Sequence, residues 1–233
     1  MPTMSRNRLL AALAALTLAV GMLAGCADTG GSTAESPQPS GAQSAEPTAA
    51  PDGGLHVSAY KPTGKEHVVV KTDKGTFEMV LYADKAPNTV ASFLELVKAR
   101  VYDGIRVHRV EPGFVMQAGD PATRKLTAAD VAGIVERQKS SAPLETDPQL
   151  GTGSAGWSQK AEFNDIKHDR GVVAMARAAD PDSAGSQFYV TLAPANQLDG
   201  QYTVFGRVVS GMNVVDALRV GDAINSMTIV GGS

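Results

Sequence analysis

Between residues 68 and 230 the chain carries eight short β-type runs and only two core helical stripes, and that ratio decides most of what it can fold into. Residues 68–70 open a strand. Phe77, Met79 and Leu81 then alternate with Glu78, Val80 and Tyr82 at period two, the second arm of a hairpin. Thr72-Asp73-Lys74-Gly75 between them is turn chemistry, with glycine where positive φ is wanted. Further runs lie at 105–110, 115–118, 172–176, 187–192, 203–209 and 227–230. Pro87 starts a helix with Val90, Phe93, Leu94 and Val97 on one face. A second helix fits 212–219, with Val214, Val215 and Leu218 as its stripe. Two helices cannot cover both faces of a parallel sheet, so a doubly wound fold is excluded. Many short strands with turns between them point to a sandwich or closed barrel.

The first quarter of the chain is of another kind. Arg6 and Arg8 precede an apolar run over residues 9–24, too short for a comfortable membrane span and followed by Cys26. Leu23-Ala24-Gly25-Cys26 resembles a bacterial lipobox, in which the cysteine is lipidated and becomes the mature N-terminus. Residues 1–25 are accordingly expected to be a lipoprotein signal peptide. Its removal takes away two of the 21 Lys and Arg and none of the 24 Asp and Glu, changing the net charge from −3 to −5. Of residues 27–54, 22 are Ala, Gly, Ser, Thr or Pro, and none is Val, Ile, Leu, aromatic, Lys or Arg. Such a stretch buries too little apolar surface to offset its ordering entropy. Residues 26–64 therefore read as a disordered leash with a reach of about 30 Å, and 65–233 as the folded domain. The expected location is the cell envelope, outside the cytoplasm, with the chain anchored to a membrane through Cys26.

Several chemistries drop out. An acidic chain with 5% aromatic residues lacks the basic footprint and stacking platforms of a nucleic-acid binder. A single cysteine excludes an internal disulfide framework and a multi-thiolate metal site. His56, His67, His108 and His168 are scattered without ligand spacing, so no metal is expected. Gly151-Thr152-Gly153-Ser154-Ala155-Gly156 matches G-x-G-x-x-G, but Asp147-Pro148 precedes it and no helical stripe follows, so it reads as a glycine loop. There is no G-x-S-x-G and no Cys/His pair within the domain. Catalysis here must work by binding.

From His108-Arg109 onward the chain resembles the cyclophilin-type peptidyl-prolyl isomerases. The likeness runs through Pro112-Gly113-Phe114, Gln117-Ala118-Gly119-Asp120, Glu162-Phe163, Met175-Ala176-Arg177-Ala178, Gly185-Ser186-Gln187-Phe188, Leu198-Asp199-Gly200 and Val204-Phe205-Gly206, in the family's order. It implies a mainly β fold: a closed eight-stranded antiparallel β-barrel capped by two helices. It also implies rotation about X-Pro bonds, no cofactor, and proline-containing segments of exported proteins as partners, with the chain a monomer. Arg109 matches the catalytic arginine. Phe114, Val115, Tyr189 and Leu198 match the proline pocket. Gln117 and Gln187 match polar groups around the substrate backbone, Ala176 and Arg177 the segment that pairs with the peptide, and Tyr202 a rim position that is often histidine.

The departures are specific. Tyr189 stands where phenylalanine is usual, adding a hydroxyl that needs a partner. Gln197 stands where cyclosporin-sensitive members carry tryptophan. Residues 121–150 are an insertion. Within it Thr127 is placed to cap a helix with Asp130 three residues on, Leu126 and Val131 have staple spacing, and Val131, Ile134 and Val135 form a stripe that reads as packing rather than as a partner site. Three functions fit the sequence: a membrane-tethered prolyl isomerase, a binding module or holdase on the same fold, and a solute-capturing lipoprotein. The barrel blocks argue against the last, and Arg109, Phe114 and Gln117 favour the first.

Overall fold

The computed structural model describes residues 54–232 except Pro143 and Glu145, so Cys26, the signal peptide and most of the leash lie outside the described residues. Eight antiparallel strands form one sheet: β1 (His67–Thr72), β2 (Gly75–Leu81), β3 (Arg109–Glu111), β4 (Val115–Ala118), β5 (Val172–Met175), β6 (Phe188–Thr191), β7 (Val204–Ser210) and β8 (Ile224–Val230). Their order across the sheet is β3-β4-β6-β5-β7-β2-β1-β8. The β1–β2 hairpin closes with Gly75 at φ +129, and the Thr72 hydroxyl donates to the Gly75 carbonyl across the turn.

The closed barrel expected from the resemblance is not what forms. The sheet curls into an open half-barrel whose free edges are β3 and β8. The reason lies where the two edges approach each other. The run at 105–110 becomes a strand only from Arg109, so β3 is three residues long. Its lead-in meets β8's lead-in through one bridge, Arg106 to Ala223, with flanking backbone hydrogen bonds. Further along β8, the Met227 amide donates to the Asp103 carboxylate rather than to a strand. An edge group satisfied by a side chain gives a neighbouring strand no ladder to extend.

The concave side packs around helix α1 (Pro87–Lys98), whose Val90, Phe93, Leu94 and Val97 are buried as the stripe requires. Phe93 lies 5.0 to 5.8 Å, centroid to centroid, from Tyr102, Phe188 and Phe205. Ala86 supplies no side-chain cap to α1. Glu162, 74 residues away, accepts from the Asn88 and Thr89 amides instead, placing a carboxylate at the helix's positive end. Helix α3 (Met212–Ala217) ends two residues before the expected position because Leu218 is extended.

The insertion folds as a turn of 3-10 helix followed by α2 (Ala128–Lys139). Thr127 and Asp130 form the reciprocal capping box, and Val131 and Ile134 are buried with Leu150 against Leu126, Val135 and Val220. Arg106 ties the insertion to the seam: it donates to the Leu126 carbonyl at 2.6 Å and to the Gly221 carbonyl at 2.8 Å.

The leash ends earlier than Lys65. His56 stacks on Trp157 with ring centroids 4.1 Å apart, and its backbone amide donates to the Ser158 carbonyl. The Ser58 hydroxyl donates to Glu95, and Asn88 brackets the arm by accepting from the Ser58 amide and donating to the His56 carbonyl. No local signal announces this arm, because its docking partners Asn88, Glu95, Trp157 and Ser158 are distant in sequence. A chain beginning at Lys65 is expected to melt about 4–8 °C below one beginning at Asp52, since uncovering Trp157 and these donors costs about 2 kcal/mol. Scanning calorimetry on the two chains checks it; equal melting would mean that the arm contributes nothing.

Candidate active site

Register builds the site. Arg109 on β3 faces Gln117 on β4, Gln117 faces Tyr189 on β6, Tyr189 faces Ala174 on β5, and Ala174 faces Val204 on β7. Directly paired residues share a sheet face, so this row runs along the convex side. Their neighbours Met116, Phe188, Val190, Val173 and Met175 point the other way, into the main core. That is why β5 and β6 read as continuous apolar runs: both faces are covered.

A cavity of about 300 Å³ opens over this row, lined by Arg109, Phe114, Val115, Gln117, Ala176, Arg177, Tyr189, Leu198 and Tyr202. Nine of the ten residues expected at the site thus meet at one hollow. The tenth, Gln187, lines an adjoining cavity of about 200 Å³ that shares Gln117, Ala176 and Arg177 with the first and is completed by the glycine loop. Val115 and Tyr189 are buried, forming the floor with Val204 and Ala174, while Phe114, Leu198 and Tyr202 are partly buried around it.

Arg109 stands on the rim with its side chain 44% exposed. Its guanidinium carbon lies 5.8 Å from the Phe114 ring centre, its Nη1 is 3.5 Å from Gln117 Oε1, and its Nε is 3.7 Å from Glu111. These long contacts leave its donors available. Behind it runs an amide relay: Gln117 Nε2 donates to Gln187 Oε1 at 2.9 Å, and Gln187 Nε2 donates to the Gly153 carbonyl at 2.7 Å.

The glycine loop is a cradle, but for a carboxylate of the chain itself. Asp120 accepts from the amides of Gly151 at 2.6 Å and Gly153 at 3.3 Å. A Cβ on Gly153 would sit 2.1 Å from Asp120 Oδ1, so only glycine fits there. No helix follows, which removes the phosphate-binding reading of the motif. The same bonds pin both ends of the insertion beside the site.

The extra hydroxyl of Tyr189 has a partner. It lies 3.0 Å from His168 Nε2, and His168 Nδ1 lies 3.1 Å from Asp199 Oδ1. With Nδ1–H donating to the carboxylate, Nε2 is left to accept from the tyrosine. Burial pushes the Tyr189 hydroxyl's pKa strongly up, so it acts only as a donor there. The Asp199 carboxyl is held below its usual range, first by the His168 backbone amide. The floor of the cavity is thus anchored from behind by three residues spread over 31 positions, an arrangement no local motif announces. His108 is also buried, and burial lowers its pKa against the opposing pull of Asp120 and the Gln187 side chain.

A family model for cyclophilin-type peptidyl-prolyl cis-trans isomerases matches residues 67–230. A peptidyl-prolyl cis-trans isomerase of Synechococcus elongatus is 35% identical over 164 residues, covering 70% of this chain and 94% of that protein. A probable peptidyl-prolyl cis-trans isomerase of Brucella melitensis is 37% identical over 155 residues, covering 66% and 71%. In fold, the chain is similar to the crystal structure of a cyclophilin-type isomerase of Cryptosporidium parvum, with a TM-score of 0.57 and 23% identity over 72% of this chain and 99% of that one. That protein has also been solved in the presence of the dipeptide Ala-Pro.

Proposed function

The chain belongs to the cyclophilin-type peptidyl-prolyl cis-trans isomerases, and from that premise we propose that it turns X-Pro bonds of exported proteins at the outer face of a membrane, held there by a lipid on Cys26. The observation that carries the chemical part is the guanidinium of Arg109 on the rim of a cavity with an aromatic and aliphatic floor. A prolyl dipeptide of the kind present with the Cryptosporidium protein fits that chemistry: the ring enters the cavity and the preceding carbonyl stays at the rim.

Rotation about a peptide bond faces a barrier of about 18–20 kcal/mol because the amide is conjugated. Uncatalysed X-Pro isomerisation accordingly takes tens to hundreds of seconds. As the bond twists, the prolyl nitrogen leaves conjugation and gains a lone pair. An N–H of Arg109 aimed at that lone pair stabilises the twisted state more than either planar one. Val115, Tyr189 and Leu198 hold the ring while the carbonyl side turns. Gln117, fixed by Gln187, keeps the guanidinium directed at the rim. No proton changes hands, and no cofactor enters this chemistry.

The envelope role rests on Leu23-Ala24-Gly25-Cys26 after an apolar run, followed by a leash poor in apolar residues. Mass spectrometry of the full chain extracted from membranes is expected to show a diacylglycerol-type adduct on Cys26. Cys26→Ser is expected to abolish the adduct. A variant that stays membrane-bound with residues 1–25 still attached would identify an uncleaved anchor and overturn the lipid.

A further inference from the structure

The groove holds a second guanidinium that the chemistry of rotation does not use. Arg177 follows β5 and stands where the two cavities meet, lining both. It is held firmly. Its Nε and Nη2 donate to the Gln201 carbonyl at 3.1 and 3.0 Å, and its Nη1 donates to the carbonyls of Ala178 and Ala179 at 2.9 and 3.1 Å. Its guanidinium carbon lies 4.7 Å from the centre of the Tyr202 ring and 5.8 Å from that of Phe163. Every one of these partners is neutral. Among the described residues no carboxylate oxygen comes within ion-pair distance of Arg177, although six other Lys or Arg side chains pair with carboxylates.

The nearest carboxylates in sequence are committed elsewhere. Asp180 accepts from the Asp182 amide and Asp182 accepts from the Ala161 amide. A guanidinium carries five N–H donors, and the four bonds above leave one of the two Nη2 protons without a partner among the described residues. A charge held this rigidly costs little further side-chain entropy when a counter-ion arrives.

We propose that Arg177 makes this isomerase selective for acidic segments: a Glu or Asp side chain one or two residues before the proline enters the adjoining cavity and supplies the carboxylate that Arg177 lacks. The proposal rests on the isomerase reading and adds the substrate class. Because the site is open to solvent, the preference should be modest and sensitive to salt.

The test is kcat/KM on a set of proline tetrapeptides in which each of the two preceding positions carries Ala, Glu, Gln or Lys in turn. At one position Glu is expected to exceed Gln by about three- to fivefold, with Lys below Gln, as for an exposed ion pair. High salt should compress that ratio in the unmodified chain, which keeps the test valid even if a variant fails to fold. Arg177→Gln should bring Glu and Lys peptides together, and Arg177→Lys should retain the order. Glu and Lys peptides turned over alike by the unmodified chain, or a preference that persists in Arg177→Gln, would overturn the proposal. An unmodified chain inert on the all-alanine peptide would instead overturn the isomerase reading itself.

Discussion

Arg109→Ala is expected to lower turnover by roughly thirty- to a thousand-fold while leaving the fold and most peptide affinity in place. The size follows from the step that uses the residue. A preorganised, charge-assisted donor that meets its acceptor only in the twisted state contributes about 2–4 kcal/mol, and each 1.4 kcal/mol is about tenfold in rate. The fold should survive because the side chain is 44% exposed and its nearest acceptors lie at 3.5 and 3.7 Å. Contacts that long at a surface contribute about 0.5 kcal/mol or less. Affinity should survive because the apolar lining by Val115, Tyr189 and Leu198 is untouched. An interaction made only in the transition state lowers kcat and kcat/KM together. Exchange NMR on a proline peptide reads interconversion in the bound state directly, and unchanged exchange in Arg109→Ala would remove the arginine from catalysis.

What the sequence disclosed about this molecule, and what it did not, divides by the range of the interactions. The β1–β2 hairpin and the α2 capping box depend on residues two to four apart, and both form as the spacing predicts. The convex row was legible only in pieces: strand periodicity places Gln117 and Tyr189 on strands, but their pairing is set by register across the sheet. Three features had no local signal. The half-barrel stays open because Asp103 takes the Met227 amide, 124 residues away. The arm at 54–60 docks because Trp157 and Glu95 present a stacking face and a carboxylate to it. The hydroxyl of Tyr189, an evident departure at the sequence level, is explained only when His168 and Asp199 arrive behind it. A buried hydroxyl without that acceptor would cost about 1–3 kcal/mol.

Cyclosporin is expected to inhibit this chain weakly, and Gln197→Trp to tighten inhibition by roughly thirty-fold or more. In the family the chain resembles, sensitivity leans on an indole that packs against the macrocycle and donates a hydrogen bond. Here Gln197 occupies that position, in a short 3-10 turn, Asn196–Leu198, exposed on the surface. Its carbonyl is engaged by the Gln201 side chain at 2.7 Å, which holds the turn but adds no apolar face. Losing one aromatic side chain from the centre of an interface typically costs about 2 kcal/mol or more, which is about thirty-fold in affinity. Turnover does not share this dependence. Leu198 lines the cavity beside Arg109, whereas its neighbour Gln197 does not. The nearby rim residue Tyr202 is already covered by the Arg177 guanidinium at 4.7 Å, so its ring is a poor substitute for an exposed indole. An inhibition titration of the native domain beside Gln197→Trp separates the possibilities. Tight inhibition of the native domain, or no gain from the tryptophan, would mean that another group makes the contact and that Gln197 does not set the sensitivity.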